Sequence, residues 1–466
     1  MYIFYDFETS TKELLGQILS FAFIVCNEEF VEVDRFCGYV KVKRLELPSV
    51  GAILTNQLNI DDLNHQGEDE HQVAKNIYNF LDKIISQYHE ATLCGFNSNQ
   101  FDLNFLRNCL LKYGINPYFK GKLKNKDVLH FCQDIAINHP DTFPWKAFEK
   151  NNEEGIPYYS FKLENLAKQF DCLHESQSHD AIEDVLLTIK LVKKLQKLFK
   201  ANFQDFKPFH LEKIKSKKTT TIFKQKIKGT PPTPLSIKKW LLIKKIGKNH
   251  LFVDLDITKE NKEVNPLHYV RNINENKQYF IATELEASKE ELNHIESILQ
   301  IPLIKKIQSS QVNYFDLIKK DWDIEYQIHI LGFSHIPILE NSIRDLHKAP
   351  ANYPKILKKL LDKRNQTQID EEKEAYFNCI KLFNRFYLNF HPNPSQENLN
   401  KYIIPRYITG QILKNWDLDF ESIEFQYETL CSAYEENPKA KHLEALKRYY
   451  IDFCDKHNLQ LQINNA

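Results

Sequence analysis

The chain has 466 residues, 42% of them hydrophobic, and its 62 basic and 62 acidic side chains give a formal net charge of zero. A chain of this length is too long to fold around a single hydrophobic core, so it predicts two or three domains. Because the net charge is zero, it does not indicate whether the protein binds a polyanion. Nine scattered cysteines without a CxxC pair favour reduced thiols over disulfides or a zinc site. Acidic residues stand where a secretion signal needs an apolar core, and no 18-residue apolar run occurs, so we expect a soluble cytoplasmic protein.

The first predicted element is an apolar strand over residues 2–8 that carries two carboxylates, Asp6 and Glu8. Because side chains alternate along a strand, residues at i and i+2 share one face. Two adjacent carboxylates in an apolar strand repel each other and resist desolvation. A divalent cation such as Mg²⁺ or Mn²⁺ makes such a pair tolerable. An edge strand with one solvated face is the alternative, and further acids decide between the two.

A further acid, Asp102, follows the predicted strand at residues 91–96. Apolar residues from Leu93 predict that strand, and Gly95 to Asn99 predict a turn. Asp102 then falls in the first turn of a helix. An acid at that position also interacts favourably with the helix dipole, which is the alternative reason for its presence.

A third segment supplies one more acid and a base. An apolar stripe at helical spacing is formed by Ile182, Val185, Leu186, Ile189 and Val192. Ser178 is the expected N-cap, which places His179 at the helix entrance and Asp184 about one turn inside. A lone histidine or aspartate on a helix is usually a surface residue. Their occurrence together with three other acids indicates a site.

These positions together resemble a known family. Asp6-x-Glu8, Asp102 after a Gly-Phe-Asn turn, and His179-x-Ala-x-x-Asp184 are similar in order and spacing to the DEDDh 3′→5′ exonucleases. The similarity is more specific to bacterial exonuclease I, which degrades single-stranded DNA. The segments that carry this closer resemblance are residues 5–9, 95–102, 161–166 and 179–192. The resemblance becomes weaker beyond residue 200.

The resemblance implies phosphodiester hydrolysis with two metal ions, expected to be Mg²⁺ with Mn²⁺ as an alternative. It implies that Asp6, Glu8 and Asp184 hold the first ion. Asp6 holds the second, with Asp102 acting through water. His179 would be the general base, since a neutral imidazole can take a proton at cellular pH.

The resemblance also implies contacts with the strand. Glu8 and Thr9 would seat the terminal nucleotide, and Arg107 matches a strand-contacting arginine. Lys162 stands where exonuclease I usually has an arginine against a phosphate. Lysine keeps the charge but loses the bidentate fork, so we expect a weaker contact there. An exposed helix charge is the alternative for both Arg107 and Lys162.

One position departs from the family pattern. In exonuclease I a glycine usually follows two residues after the threonine of the first motif. Here residues 10–12, Ser-Thr-Lys, come first and the next glycine is Gly16. We therefore expect the loop beside the strand end to differ.

Three domains are expected. Residues 1–200 alternate strands and helices, which predicts a mixed α/β sheet covered by helices, and the resemblance implies the ribonuclease H-like fold. Residues 201–334 hold a basic linker and a hairpin signal at Gly247, and the resemblance implies an SH3-like β domain. Helical periodicity over residues 335–466 predicts a helical C-terminal domain. Within the first domain, strands are expected at 2–8, 18–26, 30–42 and 91–96 and helices at 71–88, from 102, near 127–138, from Ser160 and from 179.

A lysine tract marks the second boundary. Between residues 207 and 250 there are thirteen lysines and a single acidic residue, Glu212. Such a run is most often a solvated surface or a flexible linker. On a nuclease we interpret it as a track for DNA phosphates, with Phe209 and Phe223 nearby for base stacking. The acidic tail of single-strand DNA-binding protein, a partner that the resemblance implies, could use the same lysines.

The sequence thus predicts a monomeric, Mg²⁺-dependent, single-strand-specific 3′→5′ DNA exonuclease that releases 5′-mononucleotides, acts in DNA repair or recombination and contacts no membrane. A 3′→5′ exoribonuclease is the first alternative. Short family members of that kind lack two further domains, which favours DNA. A catalytically decayed single-strand-binding scaffold is the second alternative, and the intact set of four acids and a histidine disfavours it.

Overall fold

The computed structural model describes residues 1–12, 16–113, 115, 117–153, 155, 157–173, 180–211, 222–227, 236–255, 270–274, 279–311, 353–368, 394–403 and 422–459, with isolated residues between 370 and 388. Ser178, His179 and much of the lysine tract, including Glu212, lie outside these residues. No helix in the described ranges is long and apolar enough to cross a membrane.

A five-stranded mixed sheet organises the N-terminal part of the chain. Its strands are β1 (Tyr2–Thr9), β2 (Ile18–Cys26), β3 (Glu32–Tyr39), β4 (Ala91–Gly95) and β5 (Leu123–Asp127). Their order is β3-β2-β1-β4-β5, with antiparallel pairing on the β3 side of β1 and parallel pairing on the β5 side. The predicted mixed sheet is therefore confirmed, and β1 lies at its centre.

Helices cover both faces of this sheet. The helices of this part are α1 (Val50–Asn56), α2 (Ile60–Gln66), α3 (Glu70–Tyr88), α4 (Asp102–Lys112), α5 (Val128–Asn138), α6 (Leu163–Gln169) and α7 (Ala181–Phe199), of which α3 to α7 cover the sheet. Because strand side chains alternate, Tyr5 of β1 packs in one core with α3 and α4, while Phe4 packs in the other core with α5, α6 and α7. Asp6 and Glu8 have the same parity as Phe4 and so project toward the α7 side.

Two predicted helix starts are wrong. The N-cap of α7 is Asp180, whose carboxylate accepts the backbone N–H groups of residues 182 and 183, rather than Ser178. Helix α6 begins at Leu163 after Lys162 rather than at Ser160. The Ser160 hydroxyl instead accepts a hydrogen bond from the Asn165 side chain at 3.0 Å. A short hairpin that the sequence did not predict, β6 (Glu149–Asn151) with β7 (Pro157–Tyr159), precedes α6.

A second, six-stranded sheet follows. Its strands are β8 (Phe209–Leu211), β9 (Ile222–Ile227), β10 (Ser236–Ile246), β11 (Asn249–Asp254), β12 (Val270–Asn274) and β13 (Phe280–Leu285), in the order β12-β11-β10-β9-β13-β8. The predicted hairpin is confirmed, since β10 and β11 pair antiparallel around Gly247, which has a φ of 57°. Part of the lysine tract therefore forms strands instead of a flexible linker. The SH3-like assignment stays a prediction.

Two helices cover the second sheet, α8 (Lys289–Leu299) and α9 (Pro302–Gln308). The Ser288 hydroxyl accepts from the Glu291 N–H while the Glu291 carboxylate accepts from the Ser288 N–H, a capping box that begins α8. Ile295 of α8 and Ile304 of α9 are buried against the apolar face of the sheet. This contact forms one hydrophobic core of the second sheet, and Trp240, Phe252 and Phe280 form another.

The C-terminal part is helical in the described residues, as predicted. Its helices are α10 (Tyr353–Gln366), α11 (Gln396–Ile403), α12 (Ile423–Glu436) and α13 (Lys441–His457). Helices α12 and α13 pack on each other and on α1 and α2. Leu47 and Val50 near α1 share one hydrophobic core with Leu430 and Tyr450 of these helices. The end of the chain therefore folds back onto the N-terminal sheet domain.

Candidate active site

Three carboxylates converge at the carboxyl end of β1. Asp6 and Glu8 project from one face of the strand, and Asp184 projects from the first turn of α7, which packs over β1 and β2. One oxygen from each of these residues lies within 4.8 Å of the other two. The i, i+2 spacing on a strand and an acid in the facing helix are thus enough to assemble the group.

A fourth acid is attached to the same strand. Asp102 begins α4, and its Oδ1 accepts a hydrogen bond of 3.1 Å from the backbone N–H of Phe7. Phe7 lies between Asp6 and Glu8, so this bond attaches α4 to β1 at the cluster. Asp102 is buried, with 3% of its surface exposed.

Burial and mutual repulsion raise the pKa values of these acids. Burial first, then Asp102 and Glu8, hold the pKa of Asp6 well above its usual range. Burial, followed by Asp184 and Asp102, raises the pKa of Glu8 to about 9. Burial raises the pKa of Asp102 to about 7, although the Phe7 N–H acts in the opposite direction. A bound divalent cation would favour the ionised forms, and carboxylate oxygens are its preferred ligands, so this donor set fits one.

The turn before α4 is organised by an acid that the sequence analysis missed. The carboxylate of Asp127 accepts the N–H groups of Asn97 at 2.9 Å and Asn99 at 3.0 Å. At Gly95 a Cβ atom would lie 2.6 Å from the Cβ of Ser98, so the turn requires glycine there. These contacts determine where α4 begins. Asp127 also N-caps α5. An aspartate directly before the apolar run that begins at residue 128 is therefore the local sequence signal by which Asp127 could have been recognised.

The predicted strand-contacting residues lie in different settings. Thr9 ends β1 beside Glu8, is buried, and donates its hydroxyl to the carbonyl of residue 11 at 2.8 Å. The Arg107 guanidinium lies over the Tyr118 ring, 5.5 Å from its centre. Lys162 is exposed at the start of α6. His179 lies outside the described residues, next to Asp180. The roles of these residues stay predictions.

Two lysines of the tract are engaged within the second part of the chain. Lys239 on β10 forms an ion pair with Glu291 of α8. Lys244 donates to the carbonyl of Ile307 at 2.7 Å and to the hydroxyl of Ser310 at 2.8 Å. These contacts attach α8 and α9 to the sheet. Contacts within the protein therefore explain the positions of Lys239 and Lys244 without a contact to nucleic acid.

Comparison with known proteins agrees with this geometry. Residues 3–192 match the family model described as exonuclease. No curated protein matches the sequence significantly. The structure of E. coli exonuclease I with a dA16 oligonucleotide is 18% identical, covers 97% of this chain and 99% of its own, and has a TM-score of 0.63. A second structure of exonuclease I, which suggests how processivity is achieved, is 17% identical. It covers 98% of this chain and 99% of its own, with a TM-score of 0.64.

A third structure, the ExoI/SSB-Ct complex, is 17% identical, with coverages of 97% and 99% and a TM-score of 0.61. At these identities the likeness establishes the fold, which extends over nearly the whole chain. The predicted fold class, a mixed α/β domain in a chain with a helical C-terminal region, is thus confirmed. The division into three domains at residues 200 and 334 stays a prediction. Residues 3–192 thus match the exonuclease family model, and the chain is similar in fold to exonuclease I over nearly its whole length.

Proposed function

We propose that the protein is a divalent-metal-dependent 3′→5′ exonuclease that degrades single-stranded DNA to 5′-mononucleotides. The observation that carries this proposal is the carboxylate cluster of Asp6, Glu8 and Asp184, with Asp102 attached to the strand between the first two. The exonuclease-family match over the same residues supports it. Exonuclease I structures in complex with a dA16 oligonucleotide and with SSB-Ct support the choice of substrate and of partner.

In this proposal Asp6, Glu8 and Asp184 would hold one cation, and Asp6 with Asp102 would hold a second. When bound, such ions supply charge neutralisation at the phosphate, a water of lowered pKa and stabilisation of the leaving oxygen. The buried carboxylates keep the site selective for cations, because their ionised form requires compensating positive charge.

The remaining residues bind the strand and move a proton. Glu8 and Thr9 seat the 3′-terminal nucleotide, since Thr9 directly follows the cluster at the end of β1. Arg107 and Lys162 contact phosphates. His179 precedes the N-cap of α7 and takes the proton of the attacking water as general base.

The test compares wild type with Asp6→Asn and Asp184→Asn on matched single-stranded DNA, double-stranded DNA and RNA oligonucleotides. We expect single-stranded DNA to be degraded fastest with Mg²⁺ and hydrolysis to stop in EDTA. Each variant should lose about a thousandfold or more of the activity, since it removes a ligand of the cation. Asp82→Asn, an exposed acid on α3, is the matched control and should act like wild type. Faster RNA turnover would establish the exoribonuclease alternative, and full activity of Asp6→Asn would refute the site.

A further inference from the structure

Ser10, directly after β1, is linked by buried hydrogen bonds to Glu46 and to Gln17, the residue before β2. Ser10 is fully buried, and its hydroxyl donates to the Glu46 carboxylate at 2.6 Å. The same hydroxyl accepts the N–H of Gln17 at 3.0 Å, while the Ser10 N–H donates to the Gln17 carbonyl at 2.8 Å. Ser10 thus connects the two ends of the loop and attaches them to Glu46.

Residues 46–50 form a segment, the bracing segment, that is hydrogen-bonded to Ser10. Its Ser49 N–H donates to the carbonyl of Ser10 at 2.8 Å. Helix α1 begins at the last residue of this segment, Val50, and the side-chain amide of Asn56 at the end of α1 donates to the Thr9 carbonyl at 3.3 Å. The residue proposed to seat the strand end is therefore positioned by contacts with the bracing segment and α1.

The C-terminal helices hold the bracing segment in turn. The Tyr449 hydroxyl donates to the Glu46 carbonyl at 2.9 Å, and the Tyr450 hydroxyl donates to the Pro48 carbonyl at 2.8 Å. On α12, the Gln426 side-chain oxygen accepts the Val50 N–H at 2.7 Å. These three bonds join residues about 400 positions apart in sequence, and Tyr450 and Gln426 are buried.

We propose that α12 and α13 position the seat of the 3′-terminal nucleotide, with Gln426, Tyr449 and Tyr450 as positioning residues that act through the bracing segment on Ser10 and Thr9. This inference rests on the proposed function for the identity of the seat. The physical basis is preorganisation, because a loop held by several buried hydrogen bonds loses little further freedom when the strand end binds. The C-terminal helices thereby contribute to the active site without touching the substrate.

The test uses the double variant Tyr449→Phe/Tyr450→Phe, which keeps both rings and removes the two hydroxyl donors. We expect amide hydrogen exchange at residues 9–12, 16 and 17 and at residues 46–50 to become about fivefold faster, because two hydrogen bonds of modest net strength are lost. We expect KM for a short single-stranded DNA to rise about fivefold, with kcat changed less than about twofold.

Arg448→Ala is the matched control. Arg448 directly precedes the two tyrosines in the sequence of α13, but its guanidinium pairs with Asp61 of α2 and with Glu444. It should leave both exchange and KM near the wild-type values. Glu46→Gln retains an acceptor for the Ser10 hydroxyl and should preserve KM, whereas Glu46→Ala should raise it.

The outcomes separate this inference from the proposed function. Absence of nuclease activity in wild type would contradict the proposed function, while the exchange measurement would still decide whether the C-terminal helices order the loop. If wild type is active but the double variant matches Arg448→Ala in exchange or in KM, the inference is overturned. An equal rise of KM in both variants would overturn it too, because it would indicate general loosening of the helices.

Discussion

Replacing Asp102 with asparagine should stabilise the metal-free protein at pH 8. Burial raises the pKa of Asp102 from its ordinary 3.8 to about 7, so at pH 8 the folded chain holds an ionised carboxylate where burial disfavours it. The shift of about three pH units corresponds to about 4 kcal/mol, at about 1.4 kcal/mol per unit. Asparagine carries no charge, and its side-chain oxygen can still accept the Phe7 N–H.

The gain in the free energy of unfolding that Asp102→Asn brings should grow as the pH rises. The pKa of Asp102 is higher in the folded state, so between pH 3.8 and about 7 the folded chain binds a proton that the unfolded chain has released. Wild type therefore loses stability as pH rises through this window, and the variant does not. The advantage of the variant should shrink from about 4 kcal/mol at pH 8 toward zero near pH 4.

The assay measures urea unfolding in EDTA at pH 8 and at pH 5, with circular dichroism as the signal of unfolding. Asp102→Ala is the control, because it also removes the charge but leaves the buried Phe7 N–H without its acceptor. That loss costs about 1–3 kcal/mol, so the alanine variant should be less stable than the asparagine variant. Equal stability of wild type and Asp102→Asn at pH 8, or an advantage that does not shrink at pH 5, would refute the reasoning.

Three further outcomes are expected. Mg²⁺ at a hundredfold excess over its dissociation constant should stabilise wild type by about 3 kcal/mol but not Asp184→Asn, as measured by thermal unfolding. Lys162→Arg should lower KM for single-stranded DNA about twofold to fivefold by restoring a bidentate phosphate contact, and an unchanged KM would indicate an exposed charge without a role. Gly95→Ala should destabilise the fold by about 2 kcal/mol, because its Cβ would lie 2.6 Å from the nearest side-chain atom, whereas Gly51→Ala, where a Cβ meets nothing within 4 Å, should not.

The acids of the cluster are predictable from sequence because their spacing follows local geometry. Alternation along β1 places Asp6 and Glu8 on one face, and the apolar stripe of α7 defines where Asp184 lies. Strand β5 escapes prediction because its sequence, Leu-Lys-Asn-Lys-Asp, has no apolar alternation. Its parallel pairing with β4 specifies it instead.

The supporting contacts of the site lie beyond local patterns. Asp127 orders the turn before α4 through residues about 30 positions away, and no period in the sequence connects them. The bond from Ser10 to Glu46 and the bond from Val50 to Gln426 join distant segments whose approach depends on packing of the whole chain. Sequence motifs therefore identify the reacting groups, whereas tertiary structure is needed to identify the residues that position them.

The most direct test of the account is end-specific product analysis with wild type and Asp6→Asn prepared in parallel. Single-stranded DNA labelled at either its 3′ or its 5′ end is incubated with Mg²⁺, with and without EDTA. We expect immediate release of labelled mononucleotide from the 3′ end by wild type, a gradually shortening 5′-labelled strand, and neither product with EDTA or with Asp6→Asn. Release from the 5′ end, or undiminished hydrolysis by Asp6→Asn, would contradict the proposed function.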